Sequence, residues 1–157
     1  MIKLSFDKMM GDNIEALTSQ PFCKDKEMLK KLATEHKGVV FALNDGEKYK
    51  AAAALVFEMN DEVLTCALRK LYLTGLSFDD AARTDGCDGM MLEYTADQAL
   101  YMGYDLLTVR VSLADAGMLR FLSAHGFDRI VRVEEKDNNV VLQRDLKRKI
   151  SCCGFYA

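Results

Sequence analysis

No run of eighteen apolar residues occurs in the chain, so no transmembrane helix is expected. Pro21 is the only proline among 157 residues, and no Gly/Ser/Pro-rich linker or internal repeat divides the sequence. One domain over residues 1–146, followed by a tail at 147–157, is the expected organisation. The histidines are His36 and His125, and the five cysteines (Cys23, Cys66, Cys87, Cys152, Cys153) show no repeated spacing. Zinc sites need histidines or paired Cys-x-x-Cys units, so no metal is expected. The odd cysteine number gives no disulfide framework, and a reducing compartment suits these thiols. A basic excess is also missing. With net charge −3 and no long basic block, nucleic acid is not an expected partner. The start, MIKLSFDKMM, lacks the basic segment and long apolar stretch of a secretory signal. A cytoplasmic location follows by default, with no membrane association.

What is present is an ordinary globular balance, 50% hydrophobic and 29% charged. Ile2 to Phe6 alternates as a short strand. Helices are expected near Asp12 to Thr18 and Asp25 to His36, with Asp25 and Glu27 suiting the positive end of the second. Gly38 stops that helix. Val39 to Leu43, Lys50 to Met59 and Val63 to Thr74 then form an antiparallel meander, with turns at Asn44-Asp45-Gly46 and Asn60-Asp61. Ala51 to Ala54 would favour helix on propensity alone, but the flanking turns favour strand. A loop from Thr74 to Ala82 precedes a helix over Gly89 to Met102, which buries Leu92, Thr95, Ala96 and Ala99 and ends at Gly103. Tyr104 to Ser112 is a strand, with Leu107, Val109 and Val111 on one side. Ala114 to Ala124 is a helix with Ala114, Met118, Phe121 and Leu122 inward. Ile130 to Val133 and Val140 to Leu142 are the last two strands, and the basic cluster Arg144, Lys147, Arg148 and Lys149 reads as a solvated surface. The order β-α-α-β-β-β-α-β-α-β-β makes a mixed α/β sheet with helices on both faces.

Two stretches carry a resemblance. "RTDGCDGMMLEYTADQALYMGYDLLTVRV" is similar to the Arg/Gln-x-x-Gly-x-Gly/Ala loop, helix and strand of the GNAT-family acyltransferases, and "DAGMLRFLSAHGF" to the second helix of that family, ending in Gly-Phe. The element order resembles the same fold over almost the whole chain. The resemblance implies acetyl transfer from acetyl-CoA to an amine of a small molecule or peptide. It also implies a pyrophosphate cradle formed by Arg83, Thr84, Asp85, Gly86, Cys87, Asp88, Gly89 and Met90. A helix start with unpaired N–H groups and a partial positive charge can hold such an anion. The preceding strand, ending LRKLYLTG, implies that the backbone of Leu71, Tyr72 and Leu73 holds the acyl group, beside a partner strand at Leu107 to Val111.

The pattern departs from the family at Asp88, which stands where the second Gly or Ala would be. Asp79, Asp80, Asp85 and Asp88 outnumber Arg83 in this segment. A carboxylate about 4 Å from another negative charge costs about 1 kcal/mol in bulk water, and several-fold more near a protein surface. The side chain of Asp88 could also point away while its N–H still donates. Leu122 occupies the position where the family often has a proton-donating tyrosine.

Amine acetylation needs a base and a proton donor for the leaving thiolate. Glu58 is the candidate base, with a solvated strand-end carboxylate as the competing reading. Tyr72 or Tyr101 could supply the proton, against the plainer role of packing tyrosines. Cys87 at a helix N-terminus could be a nucleophile or simply a buried thiol. His125 suits a helix cap more than a catalyst. The loop aspartates fail the calcium-loop spacing, since with Asp80 as the first position the third and fifth are Ala82 and Thr84. The tail SCCGFYA reads as an ordinary terminus. The alternative to an enzyme is a non-catalytic module on the same fold that has lost acetyl-CoA affinity. A homodimer stays open.

Overall fold

The computed structural model describes residues 3–57 and 69–147, with Thr84 described as backbone only. The chain runs β1 (Ser5–Met9), α1 (Ile14–Thr18), α2 (Lys26–Glu35), β2 (Gly38–Asn44), β3 (Tyr49–Val56), β4 (Lys70–Phe78), α3 (Asp80–Thr84), α4 (Cys87–Tyr101), β5 (Leu106–Ser112), α5 (Ala116–Ala124), β6 (Arg129–Glu134) and β7 (Asn139–Asp145). A single 3-10 turn, Glu135–Asp137, precedes β7. The strands form one seven-stranded sheet in the order β1-β2-β3-β4-β5-β7-β6. Two compact units divide the chain, one from residues 1–60 and 73–95 and the other from 61–72 and 96–157.

The first unit is built on the meander. β1 pairs antiparallel with β2, and β2 with β3. The β2–β3 turn closes on its own side chains, because Asp45 Oδ1 accepts from the Glu47 and Lys48 N–H groups at 2.9 Å each. Ala51 to Ala54 are fully buried, as in a strand covered on both faces, where alternation gives way to a continuous apolar run. Small side chains there let the helices close in. Leu17 of α1 and Leu29 and Leu32 of α2 pack with Val40, Ala42 and Ala52 on one face. On the other, Tyr94 stacks on Phe6 at 4.0 Å and meets Phe41 edge-on at 5.3 Å.

The second unit is built on β5, β7 and β6, paired antiparallel in that order. Leu107, Val109 and Val111 are buried as expected, and so is Thr108, whose hydroxyl accepts from Gln143 on β7 at 3.3 Å. On β6, Val131 is the extra residue of a register shift. Arg110 of β5 grips Glu134 with two nitrogens, at 2.7 and 3.2 Å.

Several expectations are corrected. α2 ends at His36 in a left-handed conformation (φ 57°), so Gly38 does not stop the helix. Gly38 opens β2 instead, where a Cβ would lie 2.2 Å from the Leu55 carbonyl oxygen. Asp25 is also left-handed, and its side chain does not cap α2. β4 continues through Thr74 to Phe78, because Ser77 can be buried once its hydroxyl takes the Lys24 N–H at 3.1 Å. Asp79 then caps α3, so the expected loop from Thr74 to Ala82 is strand and helix. Helix α5 starts two residues late because Asp115 accepts the Met118 N–H at 3.0 Å, which leaves Ala114 exposed and outside the helix. Arg144 is buried on β7 opposite Leu107, not part of a solvated cluster, because β7 runs on to Asp145. Among the described residues no helix is long and apolar enough to cross a membrane.

The Gly38 contact is against backbone, which cannot swing away. Gly38→Ala should lower stability by about 1–3 kcal/mol, read as a shifted urea midpoint. Gly11→Ala is the control, since its Cβ would meet only Thr34 Cγ2 at an ordinary 3.6 Å.

Candidate functional site

The strand-to-helix junction after β4 lies wholly in the first unit and is tied to the start of β3. The Asp79 N–H donates to the Lys50 carbonyl at 2.8 Å, and Lys48 pairs with the Asp79 carboxylate at 3.0 Å. α3 then supplies one and a half turns, and the chain reverses through Asp85 and Gly86 into the fifteen-residue α4. Gly86 has φ +82°, a conformation that costs an L-residue roughly 1–2 kcal/mol. A Cβ built there meets nothing within 4 Å, so Gly86 is required by the turn and faces open space.

A helix start leaves its first N–H groups without intrahelical acceptors. In α4 two of them are met by the chain itself. Asp85 Oδ1 accepts the Cys87 N–H at 3.0 Å and Asp88 Oδ1 accepts the Gly89 N–H at 2.7 Å, while the Met90 N–H makes the first ordinary helical bond, to the Gly86 carbonyl at 3.2 Å. Asp88 therefore does not point away from the helix start: its carboxylate accepts one of the donors there, the Gly89 N–H. The second oxygen of Asp85 pairs with the Lys50 ammonium. Lys50 is only 8% exposed although it carries a charge.

These contacts set the protonation states. The Asp85 carboxyl is held down at about 2, first by Lys50 and then by hydrogen bonds from Cys87. Lys50 is pushed up, chiefly by Asp85, and so stays an ammonium. Burial, then the hydrogen bond to Asp85, pushes the Cys87 thiol up to about 11. A helix start usually favours a thiolate, but here burial and then the neighbouring carboxylate reverse that effect. At neutral pH Cys87 is therefore held overwhelmingly as the thiol.

The other expected site residues fall in different places. Arg83 is exposed in the last turn of α3, and Thr84 ends that helix. On β4, Leu71 and Leu73 are buried and Tyr72 is half-buried on the alternate face. Tyr72 is near enough to Arg110 to act on its charge. Tyr101 is 88% exposed at the end of α4, and Leu122 is fully buried in α5. His125 follows the last residue of α5, where its backbone N–H reaches the Leu122 carbonyl, and its ring lies 4.8 Å from that of Phe121. Glu58 lies outside the described residues, as do Cys66, Cys152, Cys153, Arg148 and Lys149. Lys48 and Lys50 are the residues that sequence reasoning missed. The one signal was a lysine at the head of the alanine run KYKAAAALV, with its partner thirty-five positions away.

A carboxyl with a native pKa below its unfolded value stabilises the fold fully above the unfolded value, and loses that contribution as pH falls to the native one. For Asp85 the window runs from 3.8 down to about 2. Asp85→Asn should flatten the loss of melting temperature across that window and leave the curve above it parallel to the parent. Cys87, in turn, should alkylate with iodoacetamide at pH 8 far more slowly than free cysteine, followed by peptide mass spectrometry.

No protein-family model and no curated protein matches the chain. Solved structures do. The ribosomal-protein-S18-alanine N-acetyltransferase of Escherichia coli superposes with a TM-score of 0.70 at 12% identity, covering 95% of this chain and 97% of that one. A probable acetyltransferase from Staphylococcus epidermidis gives 0.71 at 12% identity, covering 91% and 99%. A GNAT family acetyltransferase from Elizabethkingia anophelis, solved with acetyl-CoA bound, gives 0.66 at 14% identity, covering 90% and 97%. The order and pairing of strands and helices in this chain is the GNAT acetyltransferase fold.

Proposed function

We propose that the protein is an acyl-CoA-dependent N-acyltransferase that receives the pyrophosphate of its cosubstrate at the start of α4. The observation that carries this reading is the turn itself. Gly86, at positive φ beside open space, delivers the chain into a long helix whose first N–H groups converge on anions. Such a helix start can receive a phosphate, and two of its donors hold carboxylates in the free chain, so binding would exchange one anion for another. Acetyl-CoA would supply the activated acyl group.

The chain's own part is to bind and orient. The N–H groups from Gly86 to Met90 would hold the phosphates, with Arg83, Thr84, Asp85 and Asp88 at the rim. The backbone of Leu71, Tyr72 and Leu73 would hold the acyl group, with Leu73 polarising its carbonyl. Glu58 would take the amine proton through a water, and Tyr72 would return one to the thiolate. The raised pKa of Cys87 argues against a covalent thioester at that residue. The acceptor is an amine of a small molecule or a peptide.

A second reading has its own support. The carboxylates of Asp85 and Asp88 satisfy the helix start without a ligand, and Leu122 cannot donate a proton. On this reading the fold serves as a non-catalytic binding module.

Titration calorimetry with acetyl-CoA separates the two. The enzyme reading expects saturable binding that Gly86→Val weakens by about tenfold or more, with the melting temperature confirming that the variant folds. Asp88→Gly should tighten binding. No heat at millimolar acetyl-CoA overturns the enzyme reading and leaves the binding module.

A further inference from the structure

Lys50 and Asp85 are unequal partners. The Lys50 side chain is 10% exposed and that of Asp85 is 37% exposed. Lys50 projects from β3, ahead of four fully buried alanines, and its side chain is the more buried of the two. A buried ammonium without an anion is strongly destabilising, which keeps an acceptor beside it at all times. Asp85 precedes the positive-φ Gly86, and its carboxylate is the solvent-exposed end of the pair. The ion pair therefore has a fixed cation and a removable anion.

Asp85 also does what a phosphate would do in its place. One of its oxygens accepts a backbone N–H of the helix start, and the other accepts the ammonium. A pyrophosphate offers the same two kinds of acceptor with more charge. We propose that Asp85 is a built-in occupant of the anion position, and that Lys50 is the phosphate-binding cation that passes from Asp85 to the cosubstrate when Asp85 swings out. The inference rests on the acyl-CoA reading and assigns that site a residue from outside the glycine loop. Lys48 is engaged separately, with Asp79.

The test titrates CoA and inorganic pyrophosphate separately into the full chain and its variants. Asp85→Asn keeps an oxygen for the Cys87 N–H but removes the competing charge, and should tighten both ligands by about tenfold. Adding Lys50→Met to Asp85→Asn should cancel the gain, and adding Lys50→Arg should restore it. A structural ion pair would move the melting temperature without this pattern. If the parent binds CoA and neither Asp85→Asn nor Lys50→Met on that background changes the affinity, the exchange is overturned and the acyl-CoA reading survives. If neither parent nor Asp85→Asn binds either ligand, the acyl-CoA reading falls and takes the exchange with it. Should the Lys50 variants fail to fold, Asp85→Asn alone decides, with unchanged or weaker affinity counting against the exchange.

Discussion

The start of α4 has more backbone donors than the helix can satisfy, and much of the first unit is arranged around that excess. A helix of fifteen residues leaves its leading N–H groups in need of acceptors and places partial positive charge there. Asp85 and Asp88 answer the need from within the loop. Their charge would be costly side by side, so one of them is neutralised from β3 by Lys50. Lys48 does the same for Asp79 one turn earlier. The acidic segment is thus a capping arrangement with its countercharges supplied by a neighbouring hairpin.

That hairpin can supply them only because of what fills β3. Four alanines in a row leave room for α1 and α2 on one face and for the Phe6, Phe41 and Tyr94 cluster on the other. Close packing brings the junction against the strand, where the Asp79 N–H meets the Lys50 carbonyl. A lysine at the head of such a strand has two fates: it reaches solvent along its stem or finds an anion nearby. Asp85 decides the second. Packing on β3 and electrostatics at α4 are therefore one problem solved by one residue pair.

The order of strands and helices was legible in the sequence because it rests on local signals. Asn44-Asp45-Gly46 marks its turn by side chains that bond within the turn, and Leu92, Thr95, Ala96 and Ala99 mark the buried face of α4 by their spacing. Long-range compensation was not legible. Ser77 reads as a loop residue until Lys24 is brought to its hydroxyl, and β4 then runs four residues further than expected. Gln143 and Arg144 read as the end of a strand until Thr108 and Leu107 are placed opposite them. In the candidate site the glycines announced a turn into a helix. The direction of Asp88 and the partner of Asp85 depend on contacts that no spacing encodes.

The same carboxylates act in opposite directions on folding and on binding. In the free protein they satisfy donors and stabilise the helix start. For an incoming anion they are competitors already in place, and the observed affinity is the intrinsic one scaled by the fraction of molecules in which the position is open. Glycine or alanine at position 88 would leave the donors to water and to ligand, giving a tighter site on a weaker helix start. Aspartate there gives a stronger helix start, and at position 85 a weakly charged ligand would gain little by displacing a carboxylate that Lys50 already holds. A diphosphate gains more, because it presents more charge to the same ammonium and to the same N–H groups. On the proposed exchange the acidic loop would raise the charge an anion must carry to enter, a constraint on the ligand and not a bar to one.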